Sequence, residues 1–194
     1  KGEYIYRVDS DFTLDPYVLE DAVKHAVNLG WDAVVIHNTS DPSVSIWSRV
    51  RKLERDCYVN DSLNVATRFF SRTALDTIGL FDKDMIASED YDLHNRIVSK
   101  DLRIGRINPT EMHIGEPHNL KEIVAKHFRY GKNIDLFIKK YRWFSIKQLS
   151  PIRHAYIRHW KDFIRQPHLT LGFLIYQYVR YASALVGYLT SKIR

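Results

Sequence analysis

The order of the first 36 residues restricts the fold more than any other feature. Glu3–Val8 (EYIYRV) is short, aromatic and β-branched, the composition of a strand. Asp15 and Pro16 then stand where a helix would be capped and begun. Val18, Ala22, Ala26 and Leu29 follow at helical spacing, with Gly30 placed to end the helix. Ala33–Ile36 (AVVI) is an unbroken apolar run, as expected of a strand covered on both faces. Strand, helix and strand in this order predict a parallel pair joined by a right-handed crossover, hence an α/β chain.

The same periods continue. Ser43–Tyr58 reads as an amphipathic helix through Ile46, Val50, Leu53 and Cys57. Val65–Phe70 reads as a strand, and Thr73–Ile78 as a short helix stopped by Gly79. Ser88 is placed to cap a helix from Glu89 with Leu93 and Ile97 facing inward, and Arg103–Ile107 is a further strand. From Leu120 to Trp143 an apolar stripe recurs near the helical period, with Lys and Arg filling much of the remainder. Leu169–Leu189 is strongly apolar but interrupted by Gln177 and Arg180.

Charge divides the chain at the same place. Residues 1–118 hold 14 Lys/Arg against 20 Asp/Glu, an excess of 6 negative charges. Residues 119–194 hold 15 against 3, an excess of 12 positive charges. A domain over 1–118 and a basic helical tail over 119–194 are therefore expected. The tail suits an anionic membrane surface, with burial in a homo-oligomer interface as the alternative. A nucleic-acid adaptor would leave the acidic body unexplained, so no nucleic-acid partner is expected. Leu169–Leu189 is long enough to span a bilayer, but a central Arg opposes that, so a helix in the interface plane is favoured. The single cysteine, Cys57, points to a reducing compartment. Lys1 leads into a strand-like run with no apolar signal segment, so the tail is expected at the cytoplasmic face of a membrane.

Two acidic groups carry the candidate chemistry. Asp9-Ser10-Asp11 sits at a strand end, where paired carboxylates can hold a hard divalent cation. Alone it is also a common turn sequence. Glu89-Asp90-Tyr91-Asp92-Leu93 sits at a helix start, where acidic residues also occur simply because they suit the helix dipole.

Taken in order, the motifs resemble the second half of family-2 glycosyltransferases. They are Asp9-Ser10-Asp11, Arg68-Phe69-Phe70-Ser71-Arg72, Gly79-Leu80-Phe81-Asp82, the Glu89–Leu93 group with Arg96, and Met112-His113. The resemblance covers about Glu3 to Gly131. It implies a GT-A mixed sheet flanked by helices, with the N-terminal nucleotide-binding half outside this chain, and C-terminal amphipathic helices. It implies inverting transfer from a nucleotide-sugar donor to an acceptor, with Mn²⁺ or Mg²⁺ on the leaving diphosphate. Asp11, helped by Asp9, and His113 would be metal ligands. Asp90 would be the catalytic base, and Glu89 would hold acceptor or base in place. His118 is a nearby alternative to His113. Arg68 and Arg96 suit either donor phosphate or ordinary ion pairing. By analogy a membrane-bound tail suits a lipid-linked acceptor. Lys139-Lys140-Tyr141-Arg142-Trp143 carries the Arg-Trp of processive synthases with Lys139 in place of their Gln, so polymer synthesis is not expected.

A second enzyme class fits one motif. Val8–Leu14 (VDSDFTL) matches the strand end of haloacid-dehalogenase-like phosphatases, with Asp9 as nucleophile, Asp11 as acid/base, and Thr39 or Ser40 as the next phosphate contact. It leaves the Glu-Asp helix start and the basic tail unexplained. An EF-hand is excluded, because Leu14 stands where the loop needs Gly.

Overall fold

A computed structural model describes residues 2–193. In chain order the strands are β1 (Tyr4–Tyr6), β2 (Phe12–Leu14), β3 (Ala33–Ser40), β4 (Thr67–Ser71) and β5 (Ile104–His113). The helices are α1 (Val18–Leu29), α2 (Ile46–Asp56), α3 (Arg72–Ile78), α4 (Glu89–Ser99), α5 (Leu120–Asn133), α6 (Asp135–Tyr141), α7 (Trp143–Leu149), α8 (His154–Arg158), α9 (Trp160–Arg165) and α10 (Pro167–Lys192). They form two compact units. The first holds the chain up to Thr39, Asn64–Asp82 and Glu89–Gly115; the second holds Ser40–Leu63, Lys83–Ser88 and the chain from Glu116 on. The tail's unit thus takes in α2 as well, because Val50 and Leu53 find their apolar partners in Ile123, Leu169 and Phe173.

The first unit is α/β. Its five strands make one mixed, curled sheet in the order β1-β4-β3-β5-β2. β1 with β4, β3 with β4 and β2 with β5 are antiparallel, which leaves β3 and β5 as the parallel neighbours. The expected parallel pair of first and second long strands is therefore modified. β1 and β3 do run the same way, but β4 lies between them and hydrogen-bonds to both. Alternation fixes the layers. Val34, Ile36 and Phe69 face Val18, Ala22 and Ala26 of α1, while Ala33 and Phe70 face Leu75 of α3 and Leu93 and Ile97 of α4. Coverage on both faces explains why β3 reads as a continuous apolar run.

Helix ends differ in detail from expectation. Gly30 closes α1 at φ 65°, as the sequence predicts, and its N–H donates to the Ala26 carbonyl. Asp15 is not the N-cap. Its side chain accepts the Tyr17 N–H at 2.9 Å in the turn before the helix, and Tyr17 takes the cap position. Ser88, just before α4, has φ 64°.

The second unit is helical throughout its described elements, α2 and α5 to α10. The single helix expected over Leu120–Trp143 is broken after Asn133 and again at Arg142, which has φ 46°. α2 opens with a capping box, Ser45 accepting the Ser48 N–H and Ser48 answering. α10 runs 26 residues, and no helix among the described residues is long and apolar enough to cross a membrane.

Candidate functional site

The topology brings one set of strand ends together. β1, β3 and β5 present their carboxyl ends where β2 and β4 begin. The segment from Arg7 to Asp11 joins β1 to β2, the two edge strands, and so meets residues from β4 and β5 on its way. Open α/β sheets bind ligands at this edge.

Arg68 is the hub. The β3–β4 ladder shifts register beside it, pairing Val34 with Phe69 but Val35 with Thr67, a bulge that re-aims the arginine. Its Nε donates to Glu111 at 2.5 Å and its Nη1 to Asp9 at 3.1 Å, and the guanidinium stacks 4.8 Å from the Phe12 ring. Glu111 is fully buried and also accepts from the Tyr6 hydroxyl at 2.8 Å. Burial raises the Glu111 carboxyl, against the pull of Arg68. For Arg68 burial works against the charge, and Glu111 and Asp9 together outweigh it, so its pKa rises.

Arg7 links the two acidic groups. Its Nη2 donates to Asp9 at 3.3 Å and to Glu89 at 3.1 Å, and Phe81 of the Gly-x-Phe-Asp turn lies under it at 5.1 Å. Each Asp9 oxygen therefore accepts from an arginine. Glu89 is raised by burial first and by neighbouring Asp90 second. Nothing in the sequence singles out Arg7, since an arginine after a short strand reads as a solvated end.

Asp11 turns to β5 instead. Its Oδ2 lies 3.1 Å from His113 Nε2, its carbonyl accepts the Ile114 N–H at 2.9 Å, and any side chain at Gly115 would collide with its carboxylate. His113 is buried and held edge-on against Phe12. A divalent cation fits this pair in part. One exposed carboxylate oxygen and one imidazole nitrogen converge, leaving further positions to ligand oxygens and water, and the nitrogen donor suits Mn²⁺ better than Mg²⁺. Among the described residues no three His, Cys, Asp or Glu side chains gather as a metal cage.

Asp90 sits in the first turn of α4 with Oδ1 accepting the Tyr91 N–H at 2.8 Å. Behind it is His94, buried and with Nδ1 lacking a partner, whose pKa falls to about 4 through burial and then Arg106, while Asp90 opposes the fall. His94 is a second residue that sequence reasoning passes over; its i+4 spacing from Asp90 is the signal that would find it.

The structure does not bring Arg96 into this cluster. Its Nε donates to fully buried Asp92 at 3.0 Å, and its Nη atoms donate to the carbonyls of Ile78, Gly79 and Leu80. It holds the turn after α3. Ser40 donates to Glu116 at 2.7 Å, and the His118 N–H donates to Glu122 at 2.7 Å, both within the second unit. Compared with known proteins, the chain matches no family model, and no curated protein comes close enough in sequence to count as a relative.

Proposed function

We propose that this chain carries the acceptor-side part of a GT-A-type inverting glycosyltransferase, which moves a sugar from a nucleotide-sugar donor to an acceptor at a membrane surface. The acceptor class that fits is a lipid-linked hydroxyl or phosphate. The reading rests on one observation: Asp9, Asp11, Glu89, Arg68 and His113, scattered over a hundred residues of sequence, share one linked cluster at the carboxyl edge of a sheet.

The chemistry follows from these side chains. The acceptor oxygen attacks the anomeric carbon in line, the bond from that carbon to the donor phosphate breaks, and the nucleoside diphosphate leaves. Asp90 takes the acceptor proton. Glu89, held by Arg7, keeps Asp90 and the acceptor in place. Arg7 and Arg68 hold Asp9 and Glu89 in place, and their charge offsets that of the carboxylates beside the diphosphate. Asp11 and His113 would hold a divalent cation, which neutralises charge on the leaving group when bound.

Asp90→Asn keeps shape and removes basicity. In the full-length protein it is expected to lower transfer about 10²–10⁴-fold with nucleotide binding intact. Asp11→Asn should instead weaken Mn²⁺-dependent nucleotide binding by calorimetry. Normal transfer by the first variant removes Asp90 from the mechanism. Turnover of p-nitrophenyl phosphate, lost in Asp9→Asn, would replace the whole reading by the phosphatase one.

A further inference from the structure

Helix α10 is built inside out. At 100° per residue, Leu171, Leu174, Ile175, Tyr178, Ala182, Leu185, Val186 and Leu189 occupy an arc of about 120°. They are the exposed residues of this stretch, and none is charged. The opposite face carries Gln177 and Arg180, both buried. Arg180 is enclosed by a bidentate pair with Glu54 of α2, at 2.8 and 2.9 Å. A water-facing helix places these two sets the other way round.

Two further observations bear on what covers the stripe. First, α5 and α10 meet backbone to backbone. Added side-chain atoms at Gly131 and Gly187 would collide with the main chain of Ala184 and Phe128, respectively. Close approach through small residues is how helices associate where the surroundings are as apolar as their own side chains. Second, the neighbouring α8–α9 stretch exposes Trp160, Ile157 and Ile164 interleaved with exposed Arg158, Lys161 and Arg165. Cations mixed with aromatic and aliphatic side chains complement an anionic leaflet. An acidic protein surface would need charged or several polar partners along the stripe, and over roughly 27 Å its one polar side-chain group is the Tyr178 hydroxyl.

We infer that the outer face of α10, with the exposed side chains of α8–α9, is the surface by which this protein lies on an anionic bilayer, α10 in the interface plane and its Arg180–Glu54 pair turned away from lipid. This deepens the membrane part of the proposed function and narrows it from the whole basic tail to α10, where the sequence also favours an in-plane helix. The stripe expected over Leu120–Trp143 is in good part used up inside the protein, where Ile123 joins the α2–α10 core and α5 packs along α10. The inference does not depend on the transfer chemistry, which is assayed separately with a soluble acceptor.

The test is flotation of the full-length protein with vesicles of phosphatidylglycerol and phosphatidylcholine, or of phosphatidylcholine alone. Wild type is expected to float with the anionic vesicles. Leu174→Glu/Leu185→Glu should lower the bound fraction about tenfold or more while the denaturation midpoint holds, because both positions are exposed. Lys161→Glu/Arg165→Glu should lose the preference for anionic lipid. Flotation of the Leu174→Glu/Leu185→Glu variant at the wild-type level overturns the inference. So does wild type that binds neither vesicle, or a stripe variant whose one change is from dimer to monomer, which would make the stripe a self-association face.

Discussion

The two units bury charge for different ends. In the first, Arg68 and Glu111 lie beneath Asp9, whose side chain is 41% exposed, so the buried pair holds an open carboxylate at the sheet edge. In the second, Glu54 is closed in by Arg51, Arg180, Tyr58 and Tyr156 and presents nothing to a ligand. Burial would raise Glu54, but Arg180 and Arg51 hold its carboxyl well below the usual range. A buried ion pair is weak evidence for stability, since desolvation offsets most of the attraction. What differs is what each pair specifies: the placement of an exposed carboxylate in one unit, and the pairing of α2 with α10 in the other.

The largest test of this contrast is Glu54→Leu, which strands the buried Arg180 guanidinium and leaves Arg51 only its longer contact with Glu116. It should lower stability by about 3–5 kcal/mol. Glu54→Leu/Arg180→Met should recover most of that in urea denaturation. If the double variant is no better than the single, the pair is not the local determinant described. Arg68→Met is expected to lower stability by less, about 1–3 kcal/mol. Glu111, already raised by burial, can take a proton when its partner is gone. The loss should therefore shrink as pH falls. A group whose folded pKa is raised favours the fold below its unfolded value and ceases to as pH rises through the folded one.

Acid should separate the units by a smaller margin, on the order of 1 kcal/mol. His127 in α5 is lowered from 6.5 to about 3 by burial and then Arg180 and Arg51. A depressed group supports the fold above its unfolded pKa and loses that support as pH falls, so this contribution fades between about 6.5 and about 3. Glu54 acts with the same sign at the low end. His94 makes the first unit fade over a narrower window, from 6.5 to about 4. Thermal melts at stepped pH should show His127→Phe flattening the second unit's profile and leaving the first unchanged.

Much of the first unit is legible because its signals are local. Gly30 must take a left-handed conformation, and Val34 and Phe69 alternate with Ala33 and Phe70. Strand partnership is not local, and nothing in EYIYRV says that β4 will intervene before β3. At the site, the acidic groups announce themselves, but Arg7 and the bulge at Arg68 depend on which strands become neighbours. In the second unit the breaks after Asn133 and at Arg142 occur without Gly or Pro at the junction. Arg180 reads as an obstacle in an apolar run until Glu54, 126 residues earlier, supplies its counter-charge. Cys57 is similar: its spacing shows an inward thiol, while only packing shows it buried and pushed up to about 12.

β5 also acts as an error check. Sliding it by one residue would replace His113 beside Asp11 with Met112 or Ile114 and turn Glu111 to the opposite face. Three separate places detect such a slip. Gly105 leaves room for no atom beyond its own against the Trp31 ring, Glu111 must answer Arg68, and Gly115 must pass the Asp11 carboxylate. A strand that is wrong by one step fails all three at once, so partial misassembly is not a near-miss that could persist with a damaged site. The tolerances that make the cluster possible are the same ones that let the chain tell a finished sheet from a faulty one.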